Sequence, residues 1–112
     1  MDDTFPSGTN TLACHIKHPA AGTAEPDPPG LILCHGFPIG PIDARGSAGT
    51  FPELIDRIAY EVGYVAMTFT FRGCGTSTGD FSLQGWIDDL RAAIDHLSSE
   101  SGVERVVLVG TN

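Results

Sequence analysis

The chain has 112 residues, is 41% hydrophobic and 18% charged, and carries a net charge of −8 with only six basic side chains. That balance suits a globular chain rather than a disordered one, and it argues against nucleic-acid binding, which needs clustered Lys and Arg to meet phosphates. No apolar run approaches the roughly 20 residues that span a bilayer, so no membrane partner is expected.

The start, MDDTFPSG, is acidic and polar, unlike a signal peptide, and residues 1–10 read as an irregular N-terminus. Residues 11–19, TLACHIKHP, read as a strand with Leu12, Cys14 and Ile16 on one face. The proline- and glycine-rich stretch 20–30 is a turn. LILC, residues 31–34, is a continuous apolar run that suits a central strand buried on both faces. Residues 35–49, HGFPIGPIDARGSAG, form a long loop of the kind that often carries function.

A helix is predicted next, since Thr50 and Glu53 have capping-box spacing and Pro52 sits in the first turn. Phe51, Leu54, Ile55, Ile58, Ala59 and Val62 then make one apolar stripe, and Gly63 is a natural stop. YVAMTFTF, residues 64–71, is a strand rich in aromatic and β-branched residues. RGCGTSTGD, residues 72–80, is a glycine-rich turn in which Asp80 is placed to pair with Arg72. A second helix starts near Ser82 as N-cap, with a stripe of Leu83, Trp86, Ile87, Leu90, Ile94 and Leu97. Trp86 and Leu90 read as core, and Asp88 and Asp89 as a solvated face. Residues 104–110, ERVVLVG, form a last strand at an unpaired edge.

Strands alternating with amphipathic helices predict an α/β fold, a mainly parallel sheet with flanking helices. Ligands of such sheets bind beyond the carboxyl ends of the strands. Three of those ends, at residues 35–38, 72–75 and 110–112, would open on one edge.

No cofactor and no metal are expected. His15 and His18 fall on opposite sides of a strand, which suits a shared ion poorly. GCGTSTG, residues 73–79, lacks the spacing of a dinucleotide fingerprint, and Asp95, at the right distance for its acidic residue, lies on the helix rather than at a strand end. Cys14, Cys34 and Cys74 have no close spacing and read as reduced thiols of a cytoplasmic protein.

Taken in order, LILCHGFP, FRGCGTSTGDFS, a helix and VVLVG resemble the N-terminal half of the α/β-hydrolase fold over residues 11–112, closest to its serine-esterase and dienelactone-hydrolase-like members. The resemblance implies a partial fold ending at the nucleophile elbow and an ester-type hydrolase as the parent activity. It assigns the Phe37 backbone N–H to the oxyanion hole, and Gly36 to close backbone approach. His35 becomes a loop brace beside the substrate pocket, with Arg72 and Gly73 on the pocket wall. Counting from Gly110, the elbow's tip is Asn112, where the family has Ser. An amide is no substitute for a hydroxyl that a neighbouring His deprotonates.

The acid and His of the family come after the elbow and match no residue here, so the chain alone is expected to be inactive. Whether it is an enzyme stays open. The alternative is a non-catalytic binding or interaction module on the same fold. Expected partners are a small ester-like substrate if active, and a C-terminal half chain or a second copy. Three accounts of the stop at Asn112 stand: a partial coding sequence, which is favoured, a protein cut into two chains, or a degenerate remnant.

Overall fold

Apolar residues along the chain switch between a period of two and a period near 3.6, and the elements follow that switch. The computed structural model describes residues 2–22, 26–36 and 41–111, with the backbone alone for 41–49. In chain order the elements are β1 (Asp2–Ser7), β2 (Asn10–Lys17), β3 (Gly30–Cys34), α1 (Pro41–Val62), β4 (Val65–Phe69), α2 (Leu83–Ser101) and β5 (Val106–Gly110). They build one five-stranded sheet in the order β1-β2-β4-β3-β5. β3 runs parallel to β4 and to β5, whereas β2 runs antiparallel to both β1 and β4, so the sheet is mixed.

β4 sits at the centre and is buried at every position. Ile32 and Met67 point into one core with Phe5, Leu12, Ala93 and Leu97, while Leu33 and Ala66 point into a second with Ile55 and Ala59. Consecutive strand residues face opposite ways, so α2 covers one face and α1 the other. Gly30 lets α2 approach β3, because a Cβ there would lie 2.7 Å from Leu97 Cδ2. Among the described residues β1 and β5 are the two edges of the sheet, and on β5 Val107, Leu108 and Val109 are exposed.

Residues 2–7 correct the reading of an irregular N-terminus. Phe5 and Ser7 point inward from β1, which pairs with β2 from Asp2 opposite His15 to Ser7 opposite Asn10. Pro6 obscured the pattern, yet a missing donor costs little on an edge strand. Gly8, at φ 60°, makes the two-residue hairpin loop with Thr9.

α1 also departs from expectation. It begins at Pro41, so 41–49 is helix rather than loop, and Pro52 lies inside it. Both prolines satisfy the first-turn rule; the chain uses Pro41 and gives up one backbone bond at Pro52. The helix ends as expected, before Gly63 at φ 83°. α2 starts as expected, with Ser82 Oγ accepting from the Gly85 N–H at 3.0 Å, and stops at Gly102 in the left-handed region.

Candidate functional site

The parallel strands β3, β4 and β5 bring their carboxyl ends to one edge of the sheet. The first and third ends are in contact: the carbonyl of Cys34 accepts from the Thr111 N–H at 3.0 Å and from the Thr111 hydroxyl at 3.0 Å. The second end is tied to the first through His35, whose Nε2 accepts from the Phe71 N–H at 3.1 Å. Accepting there leaves the ring proton on Nδ1, which donates to the Gly36 carbonyl at 2.8 Å. With both nitrogens engaged by backbone, His35 has no free nitrogen with which to act as a base. Its ring meets Phe71 and Trp86 edge-on, and those two stack at a centroid distance of 4.4 Å.

Phe37 and Asn112, the expected oxyanion and nucleophile positions, lie outside the described residues. Their described neighbours, Gly36 and Thr111, continue two strands that are hydrogen-bonded side by side.

The turn after β4 is pinned to β2. Ser77 Oγ donates to the Thr70 carbonyl at 2.7 Å and accepts from the Ala13 N–H at 3.0 Å. Thr78 bonds to Thr11 through both its N–H and its hydroxyl oxygen. Gly73 holds φ 80° and lies close enough to the Phe81 backbone nitrogen that a Cβ would sit at 3.0 Å. That is a tight-turn requirement.

Arg72 turns its guanidinium toward α2 and β1. Its partner is Asp89 rather than Asp80, and Asp89 is fully buried rather than part of a solvated face. Asp89 accepts from Arg72 Nε at 3.0 Å, Arg72 Nη2 at 2.9 Å, the Arg72 backbone N–H at 2.8 Å and the Ser7 hydroxyl at 2.6 Å. Burial pushes this carboxyl up, but the hydrogen bonds from Arg72 and Ser7 and the Arg72 charge outweigh it and hold Asp89 below the usual carboxylate range. The sequence signal that identifies it is the fourfold spacing Gly85, Asp89, Ala93, Leu97, which is the buried line of α2.

Between the sheet and α1 lies a cleft of about 490 Å³, lined by His35, Phe51, Pro52, Thr68, Thr70 and Thr76 near the strand ends and by Thr4 and His15 farther along. The two His15 ring nitrogens lie 2.8 Å from Asp2 Oδ1 and 2.7 Å from Asp56 Oδ1. Arg72 and Gly73, expected on the pocket wall, do not line this cleft. Burial pushes the Cys34 thiol up to about 11, away from the thiolate form that a nucleophile needs.

On the α2 face, Asp3, His96 and Glu100 each bring one potential ligand atom to within 4.8 Å of the others. The sequence reading missed this group because it left residues 1–10 without a strand to carry Asp3.

The whole described chain superposes on known structures. This is the N-terminal half of an α/β-hydrolase fold. An α/β serine hydrolase homologue from Coxiella burnetii matches with a TM-score of 0.74 at 23% identity, over 100% of this chain and 51% of its own. An α/β serine hydrolase without lid from Xanthomonas campestris matches with a TM-score of 0.74 at 23% identity, over 100% of this chain and 50% of its own. The Pyrococcus furiosus esterase matches with a TM-score of 0.70 at 18% identity, over 98% of this chain and 40% of its own. The chain thus spans about half the length of the structures it matches. No protein-family model matches the sequence, and no curated protein matches it significantly. Among the described residues, no helix is long and apolar enough to cross a membrane.

Proposed function

We propose that this chain supplies the oxyanion-binding half of an ester-hydrolase site and does not turn over esters by itself. The observation that carries the reading is the pair of bonds from Thr111 to the Cys34 carbonyl, which make the residues before Phe37 and Asn112 neighbours on one edge. In this reading a substrate carbonyl lies over that edge, and the Phe37 N–H donates to the oxygen as negative charge builds on it. Asn112 occupies the nucleophile position without a nucleophile's chemistry, because its nitrogen lone pair is delocalised into the carbonyl. In this reading none of the 112 residues takes the part of the His base or of its carboxylate. The three free thiols suit a reducing, cytoplasmic setting.

A short-chain nitrophenyl ester tests this. The purified chain and its Asn112→Ser variant are both expected to hydrolyse it at the rate of the buffer, since neither has a base to activate the hydroxyl. Turnover that disappears on Asn112→Ala would show Asn112 to be active, and turnover that persists would place the chemistry elsewhere; either overturns the reading.

The exposed Val107, Leu108 and Val109 of β5 favour a second reading, a non-catalytic module whose free edge is covered by another polypeptide. Light scattering distinguishes a self-associating chain from a monomer.

A further inference from the structure

We propose that Asp3, His96 and Glu100 form a binding site for a divalent transition-metal ion of the zinc class, which clips β1 to α2. Asp3 also borders the cleft, but His96 and Glu100 do not line it, and the site is independent of the hydrolase reading. His96 and Glu100 are one helical turn apart on α2 and share a face, and Asp3 reaches them from β1.

Three observations point to an ion. The first is the His96 Nε2 atom, which is buried and has no hydrogen-bond partner among the described residues. A buried imidazole nitrogen normally finds one. The second is spacing. Asp3 Oδ2 lies 4.0 Å from that nitrogen, too far for a hydrogen bond. Two ligands held at about 2.1 Å around a tetrahedral ion stand roughly 3.4 Å apart, so small side-chain rotations close all three onto one centre. The third is that the ring is held in place before any ion arrives: it stacks on Phe5 with centroids 5.0 Å apart and planes 15° from parallel.

Charge and access fit the same class. Two carboxylates and a neutral imidazole balance a divalent cation, and the imidazole selects for zinc-like ions over magnesium. Asp3 and Glu100 are exposed, which gives the ion a route from solvent and leaves room for water in the remaining position.

The test is titration of chelator-treated protein with zinc chloride by calorimetry, with cobalt(II) as a spectroscopic probe and magnesium chloride as a control. One zinc per chain is expected, with a visible cobalt spectrum that lacks thiolate charge transfer. Zinc at a hundredfold excess over Kd should raise Tm by roughly 5–15 °C. Glu100→Gln, on the exposed side of the site, should weaken zinc at least tenfold while leaving the circular dichroism unchanged, and His96→Gln should abolish saturable binding. The triple change of Cys14, Cys34 and Cys74 to Ser should retain it. Absence of saturable zinc binding, binding unchanged in both Glu100→Gln and His96→Gln, or binding lost with the thiols would each overturn the assignment.

Discussion

Arg72→Met should be among the most damaging single changes on the α2 side of the sheet. Asp89 has no solvent exposure and Arg72 only 17%, so the pair lies inside the protein rather than on its rim. Removing the guanidinium deletes two of the bonds that Asp89 accepts and leaves its charge facing only the Ser7 hydroxyl and one backbone N–H. Breaking a buried pair from one side costs about 3–5 kcal/mol, against a total of about 5–15 kcal/mol for a small domain. With a urea m-value near 1.5 kcal/mol/M, the midpoint should fall by about 2–3 M.

The cost also has a pH signature with a definite sign. In the parent, the folded-state carboxyl titrates lower than in the unfolded chain. Its contribution is therefore complete above an unfolded pKa of about 3.9 and fades as pH falls toward the folded value. In Arg72→Met, burial acts without the guanidinium and raises the folded pKa, so that variant gains relative stability as pH falls. The deficit should accordingly shrink from pH 7 to pH 4.5. Urea unfolding at both pH values, followed by the single tryptophan, reads it directly. Trp86 is well placed, since its Nε1–H donates to the Arg72 carbonyl at 3.1 Å. A midpoint shift under about 0.5 M with unchanged m, or a deficit that grows on acidification, would refute the reasoning.

Gly85→Ala should destabilise despite alanine's better helix propensity. The new Cβ would lie 2.7 Å from Ser82 Oγ and 2.8 Å from Arg72 Cδ and Cζ, and overpacking of about 1–3 kcal/mol exceeds the propensity gain of about 1 kcal/mol; a raised Tm would contradict this. His35→Ala should cost about 1–3 kcal/mol by leaving the buried Phe71 N–H without its acceptor. Hydrogen exchange at that amide should speed up more than at Met67 in the centre of β4, and equal protection in parent and variant would count against the bracing role.

The order of elements after residue 10 was readable because each rests on a local rule. Val65–Phe69 is buried throughout because it lies between two strands and under two helices, and its sequence is accordingly apolar and β-branched. β1 was hidden for the opposite reason. An edge strand needs only one inward line, here Phe5 and Ser7, and its acidic start and Pro6 carry no penalty at an edge. α1 offered two prolines that each satisfy the first-turn rule, and local spacing could not choose between them.

α2 shows where pattern reading meets its physical limit. The apolar stripe predicted Leu83 and Ile87 as inward, yet they are 72% and 42% exposed. The line that faces the sheet is Gly85, Asp89, Ala93 and Leu97, two small residues and an acid alternating toward one leucine. Small residues serve because the helix must come close, and the acid serves because an arginine one strand-end away neutralises it. Neither condition is local to the helix. The same is true of the candidate site, where residue spacing named the edge on which Cys34 and Thr111 meet. The hydrogen bonds of His35 and the turn of Arg72 away from the cleft depend on contacts 36 and 17 residues distant. A charged residue on an apolar helix face is therefore best read as a question about its partner, and here the answer separates the residue that braces the fold from those that border the cleft.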